Sequence, residues 1–213
     1  QVKKVLCTIL AGAMAVSLLA GCGGGGSTES GNGGTTAAGG EAGGSQEINI
    51  GINTDLTSLD PHNHNDTASA YATRHIYSNL VRLTEDNEFV GDLADSWEYI
   101  DDVTVEFTLK EGVKFHDGST LTAEDVKFTY DMGLQNGLSV LKGLVEVNVI
   151  DSLTVELVID SYSNEFLQSL ASVPVSIQSK AAYESGMDEP YLIGSGPYKL
   201  DKWEPDEQVT FVR

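Results

Sequence analysis

The run from Val103 to Asp131 constrains the fold of this chain more than any other stretch. Val103, Val105, Phe107 and Leu109 alternate with Thr104, Glu106, Thr108 and Lys110. Successive side chains of a strand point to opposite faces, so period two predicts a strand with one apolar and one polar face. Glu111-Gly112 interrupts the pattern and Val113-Lys114-Phe115 resumes it. His116-Asp117-Gly118 turns the chain again, glycine being free to take positive φ. Thr122 then stands as a helix N-cap, with Glu124 and Asp125 in the first turn, where carboxylates meet the positive end of the helix dipole. Ala123, Val126, Tyr130 and Leu134 follow at spacings of three and four and make one apolar helix face. Strand, tight turns and capped helix in succession predict an α/β chain.

Upstream of that unit, Ile48, Ile50 and Ile52 alternate and predict a first strand. Pro61 holds Asp60 extended, so Asp55 to His62 is a loop. His62-Asn63-His64-Asn65-Asp66 is the most polar cluster in the chain. Two histidines at i and i+2 beside an aspartate lack helical ligand spacing, and no separated third ligand is evident, so the metal signal is weak. The cluster reads first as a loop that caps the next helix, with Asp66 or Thr67 as N-cap; solute contact and metal binding stay open behind that reading. Ala72, Ile76, Leu80 and Leu83 predict the apolar face of that helix. Trp97 opens a strand that turns at Asp101-Asp102, and a core role suits it better than stacking on a solute.

Downstream, Leu144 to Ile150 and Thr154 to Ile159 predict a hairpin split by Asp151-Ser152, with Val145, Val147 and Val149 on one face. Phe166, Leu167 and Leu170 mark a short helix, Val175 to Ile177 a short strand, and Ser179 the start of a helix through Tyr183. Gly194-Ser195-Gly196-Pro197 is no nucleotide loop, because Pro197 forbids the helix whose N-terminus would hold phosphate. Its glycines permit a tight crossover, with Tyr198, Leu200 and Trp203 as packing residues.

The N-terminus reads as an export signal. Lys3-Lys4 is a short basic region, and Val5 to Leu19 is apolar, too short for a membrane span, and followed by small residues. Leu19-Ala20-Gly21-Cys22 resembles a bacterial lipobox, which implies cleavage before Cys22 and a diacylglyceryl thioether on its sulfur. Residues 23–45 are Gly, Ser, Thr and Ala with a little Asn and Glu; such a stretch buries no core and is expected to be a disordered tether. Cys7 and Cys22 are the only cysteines, so no disulfide framework exists. With 12 basic and 32 acidic side chains and a net charge of −20, the chain is no nucleic-acid binder. No nucleophile elbow, separated His/Cys ligand set or serine with an evident base is present, so an enzyme is not expected.

The run Leu109 to Tyr130 (Leu-Lys-Glu-Gly-Val-Lys-Phe-His-Asp-Gly-Ser-Thr-Leu-Thr-Ala-Glu-Asp-Val-Lys-Phe-Thr-Tyr) closely resembles the signature of family 5 extracellular solute-binding proteins, the peptide/nickel-type receptors of bacterial ABC importers. Leu59-Asp60-Pro61, Tyr77-Ser78-Asn79-Leu80-Val81, Leu93-Ala94-Asp95-Ser96-Trp97 and Gly194-Ser195-Gly196-Pro197-Tyr198 are similar to further family motifs, in family order. The resemblance implies an α/β fold of the type II periplasmic-binding-protein kind, peptide-binding cluster: part of a first lobe, with mixed sheets and flanking helices. By the same resemblance the second lobe is expected to be absent and the chain to be an N-terminal fragment of a protein that is a monomer at full length. The implied division is a lipoprotein signal peptide (1–21), lipidated Cys22 with its tether (22–45), first strand of lobe I (46–62), inserted subdomain (63–193) and return to lobe I (194–213). The implied function is capture of a small solute, a di- or oligopeptide, outside the cytoplasm at the cell membrane, and its delivery to permease subunits. Nickel-chelate or oligosaccharide binding in the same fold is the alternative, and a truncated non-transport surface module the one after that. By family position, His62, Asn63, His64, Asn65, Asp66 and Thr67 are the expected ligand contacts; no cofactor and no metal are implied.

Overall fold

Apolar alternation in one stretch and three-four spacing in the next are satisfied by packing a helix across an antiparallel sheet. The computed structural model describes residues 48–163 and 165–213. Residues 49–213 form one compact unit; of the preceding unit only Ile48 is described. The signal segment, Cys22 and the tether lie outside the described residues.

Helix α1 (Thr67–Ile76) leads to a ribbon of β1 (Val81–Leu83) and β2 (Phe89–Gly91). A hairpin of β3 (Ala94–Tyr99) and β4 (Thr104–Leu109) follows, then α2 (Ala123–Gln135), then a second hairpin of β5 (Leu144–Val149) and β6 (Thr154–Ile159). Short helices α3 (Glu165–Leu170) and α4 (Lys180–Glu184) precede a last hairpin of β7 (Lys199–Glu204) and β8 (Gln208–Val212). The two middle hairpins join as one antiparallel sheet in the order β3-β4-β6-β5.

β4 lies inside that sheet. Val105, Phe107 and Leu109 are buried on the face α2 covers, as their alternation predicts. Trp97 stacks on Phe107 with ring centroids 6.3 Å apart, so it serves the hairpin core. On α2, Ala123, Val126 and Tyr130 are fully buried and Leu134 is half-buried. Apolar burial is gathered in two clusters. The larger joins the four-stranded sheet, α2 and α3. The smaller joins Leu56, Leu59, Ala72, Ile76 and Tyr77 to Leu200, Trp203, Val209 and Phe211 of the last hairpin.

Four expectations are corrected. Ile48, Ile50 and Ile52 form no strand and are 79%, 74% and 46% exposed. Alternation supplies a face, but a strand also needs a ladder to a neighbouring strand, and no strand is formed over residues 48–52. Helix α1 stops at Ile76: Tyr77 is extended, and the Leu80 carbonyl is taken by the Asp92 and Ala94 amides, so Leu80 and Leu83 belong to the β1 segment. Val145 points outward, 60% exposed, because a bulge between Leu144 and Glu146 shifts the register; Leu144 and Val147 fill the core instead. Finally, Val173–Val175 is a 3-10 turn with Pro174 in its first turn, where a strand over Val175 to Ile177 was expected.

The outer face of the sheet carries a row of like charge. Glu98 lies opposite Glu106, and Glu106 opposite Glu156, across three neighbouring strands. Directly opposed like charges destabilise a sheet. Glu106→Lys turns two repulsions into attractions and is expected to raise unfolding free energy by about 1 kcal/mol, with a smaller gain at high salt. Urea melts check this; an unchanged or lower midpoint would contradict it.

Candidate functional site

The polar cluster sits on a loop that its own acids tie down. Asp66 caps α1, Oδ1 accepting the Ser69 amide at 2.8 Å, while Oδ2 accepts the Thr57 hydroxyl at 2.5 Å. Ser69 Oγ in turn accepts the Thr57 amide at 2.9 Å. Asp60 folds the tip: its carboxylate accepts the His62 amide at 2.9 Å and its carbonyl accepts the Asn63 amide at 3.0 Å. Loops bound by short acid-to-amide bridges are pre-shaped, and little entropy remains to be lost on contact.

The six expected contacts divide in two. Asn63, Asn65 and Thr67 are exposed; His62, His64 and Asp66 are half-buried and hold the loop. His64 Nε2 is 3.3 Å from Thr73 Oγ1 on α1. The His62 ring lies against α2, its Cε1 being 3.7 Å from where a Cβ on Gly133 would stand. Of the two N-cap candidates, Asp66 is the cap and Thr67 the first helical residue. Among the described residues no three His, Cys, Asp or Glu side chains are gathered as a metal ion requires.

Although desolvation raises it, the Asp66 carboxyl is held down at about 2 by hydrogen bonds from Ser69 and Thr57. A carboxylate depressed below its ordinary 3.8 stabilises the fold above that value and ceases to as pH falls through about 2. Asp66→Ala is therefore expected to lower the melting temperature at pH 6 and to make little difference at pH 2. An equal loss at both pH values would mean that charge is not what the cap uses.

A second polar group is invisible in the sequence. The Asp60 carboxylate acts electrostatically on Tyr77, Tyr183 and Tyr191, residues brought from three separate segments. Burial, then Tyr183, Asp60 and Tyr191, raise the Tyr77 hydroxyl well above its ordinary value. Tyr183 donates to Gln178 Oε1 at 2.6 Å. Tyr191 donates to Glu189 Oε1 at 2.6 Å and is pushed up to about 12, mainly by that bond. No spacing rule links residues so far apart, so pattern reading does not find them.

Two of the sequence motifs meet at the end of α1. The His116 amide donates to the Gly194 carbonyl at 2.9 Å, and its Nε2 to the Gly196 carbonyl at 3.0 Å. Gly196 and Tyr198 amides then donate to the carbonyls of Ile76 and His75, at 2.8 and 3.0 Å. Beside this junction an open groove of about 510 Å³ is lined by His116, Glu189, Tyr191, Lys199 and Trp203 among others. Both signs of charge, one phenol and the apolar side chains of Leu192, Ile193 and Leu200 share this concave surface.

The profile of the bacterial extracellular solute-binding proteins, family 5 (middle region), matches residues 88–213. The glutathione-binding protein GsiB of Escherichia coli K12 is 31% identical over 177 residues, which are 79% of this chain and 34% of that protein. The chain thus spans about a third of the length of the curated relatives it matches. The E. coli murein tripeptide binding protein MppA superposes with a TM-score of 0.69 at 24% identity, over 76% of this chain and 36% of that one. The ABC-transporter-associated periplasmic binding protein DppA of Helicobacter pylori, in complex with the peptide STSA, gives 0.67 at 26% identity, over 75% and 37%. These superpositions place the mixed α/β unit as part of the first lobe of such a protein. With its signature motifs joined through His116 and its profile match running over more than half its length, the chain belongs to the bacterial extracellular solute-binding proteins of family 5.

Proposed function

We propose that this chain is the solute-gripping first-lobe portion of an ABC-importer binding protein, held at the membrane through lipid on Cys22, that captures short peptides for a permease. The observation that carries the reading is the family match across residues 88–213, on a fold shared with peptide-binding proteins. Asn63, Asn65 and Thr67 face outward from a loop fixed by Asp60 and Asp66, and they offer amide and hydroxyl groups to a peptide backbone. Contact through backbone and bridging water tolerates varied side chains. The two apolar clusters set the loop, α1 and the last hairpin apart from the four-stranded sheet, so in this reading α1 goes with the smaller part and the inserted subdomain starts after it. Closure onto solute is then a hinge motion favoured by contacts on both walls. Among the described residues no helix is long and apolar enough to cross a membrane.

The test uses native protein extracted from source membranes. Its intact mass is expected to show acyl groups at Cys22; an unmodified cysteine removes the anchor. A thermal-shift panel of glutathione, tri- and tetrapeptides, a nickel chelate and an oligosaccharide follows, since ligand that binds only the native state raises the melting point. The panel includes agropinic and mannopinic acids, which other similar solved proteins hold. Peptides are expected to raise the midpoint and to be recovered uncleaved. A response confined to another class replaces the peptide; no response to any removes solute capture.

A further inference from the structure

We propose that the loop from Asp60 to Asp66 is a pH-sensitive latch: protonation of His62 and His64 in mildly acidic surroundings releases it from α1 and α2. The geometry points to this without reference to any solute, so the latch stands apart from the binding reading.

His64 is held in one tautomer. Thr73 Oγ1 gives its proton to the Ser69 carbonyl at 2.7 Å, so in its 3.3 Å contact with His64 Nε2 the ring must donate. Nδ1 is left bare, shielded from solvent and without a partner. A second proton would create a shielded N–H with no acceptor. His62 is more exposed to this penalty, because both of its ring nitrogens are shielded and unpartnered. Its ring abuts Gly133 of α2, where Leu141 and Leu138 side chains already leave no space for a Cβ.

The charged groups acting on the rings lie on the same loop: Asp60 for His62, and Asp66 and Asp60 for His64. Ser69 and Thr73, on α1, do not ionise. Burial lowers both imidazoles below their ordinary 6.5, outweighing those carboxylates. The closed loop therefore binds fewer protons than the open one. Closure is at full strength above 6.5 and weakens as pH falls below it. The Asp66 cap, held at about 2, stays ionised throughout this window, so the two acid effects separate.

Hydrogen exchange on the full chain tests the latch. The reporters are the His62, Asn63 and Ser69 amides, which donate to Asp60 and Asp66. Between pH 7.5 and 5.0 their protection factors are expected to fall, by up to about 30-fold per ring, while the β4–β6 ladder keeps its own. The double variant His62→Leu with His64→Gln cannot ionise there, yet Gln keeps an N–H for Thr73; its protection is expected to stay flat. Equal loss in that variant, or flat protection in the unaltered chain, overturns the proposal. Should the variant not fold, the ring titrations of the unaltered chain decide by NMR: both midpoints below 6.5 are required, and either one at or above it overturns the latch. No ligand enters the measurement, so its failure leaves solute capture untouched.

Discussion

Gly194→Ala is expected to cost the fold about 3 kcal/mol or more, because there is no space for one methyl group at that position. A Cβ there would stand 2.1 Å from the Ile76 carbonyl oxygen and 2.8 Å from its carbon. The obstacle is backbone, which cannot swing aside as a long side chain would. The same carbonyl accepts the Gly196 amide at 2.8 Å, so relief of the clash also breaks the hydrogen bond that seats the crossover on α1. Gly196→Ala is expected to behave alike, its Cβ falling 2.5 Å from the Ile76 carbonyl carbon and 2.7 Å from the His75 oxygen. Gly51→Ala is the control, with nothing within 4 Å of its Cβ. Urea unfolding of the three variants reads the difference. A Gly194 variant within 1 kcal/mol of the control would mean that the crossover is not seated as described.

The second large effect is at Asp125. Its Oδ2 accepts the amide and hydroxyl of Thr122 at 2.9 and 3.0 Å, and its Oδ1 accepts the Lys180 amide at 2.9 Å. One buried carboxylate thus closes the first turn of α2 and fixes the start of α4. Asp125→Ala strips acceptors from both amides, and at roughly 1–3 kcal/mol for each buried orphan donor the expected loss is about 3–5 kcal/mol. Asp125→Asn keeps one carbonyl oxygen but turns an NH₂ toward a donor, so an intermediate loss is expected. The nearby pair Lys180–Glu124, 3.1 Å apart on the surface, contributes little by comparison. Equal stability of the Ala and Asn variants would show that the one oxygen Asn keeps carries none of the effect.

Both positions show where pattern ends and packing begins. The N-cap at Thr122 and the acid in its first turn were legible, because a helix start is a local event with a local signature. The bond from Asp125 to Lys180 was not, since the partner lies 55 residues on and no periodicity couples them. Gly194 and Gly196 were legible as a tight crossover, but the carbonyls they press against belong to α1. In the candidate site, Asp66 as cap came from residue type and position; the Asp60–tyrosine group came only from folding three segments together.

The errors share one cause. Ile48–Ile52 alternates as a strand does but forms none, while Leu80 and Leu83 keep helical spacing but are drawn into β1 by their neighbours' amides. Val145 fits the period of its strand and is turned out by a one-residue bulge. By itself, then, the sequence determined what local physics settles: the amphipathic faces, the caps, the turns and the motifs that mark the family. Tertiary structure decided which backbone groups find partners, where the register slips and which distant polar groups meet, because a hydrogen-bond ladder and a buried contact depend on both of their sides.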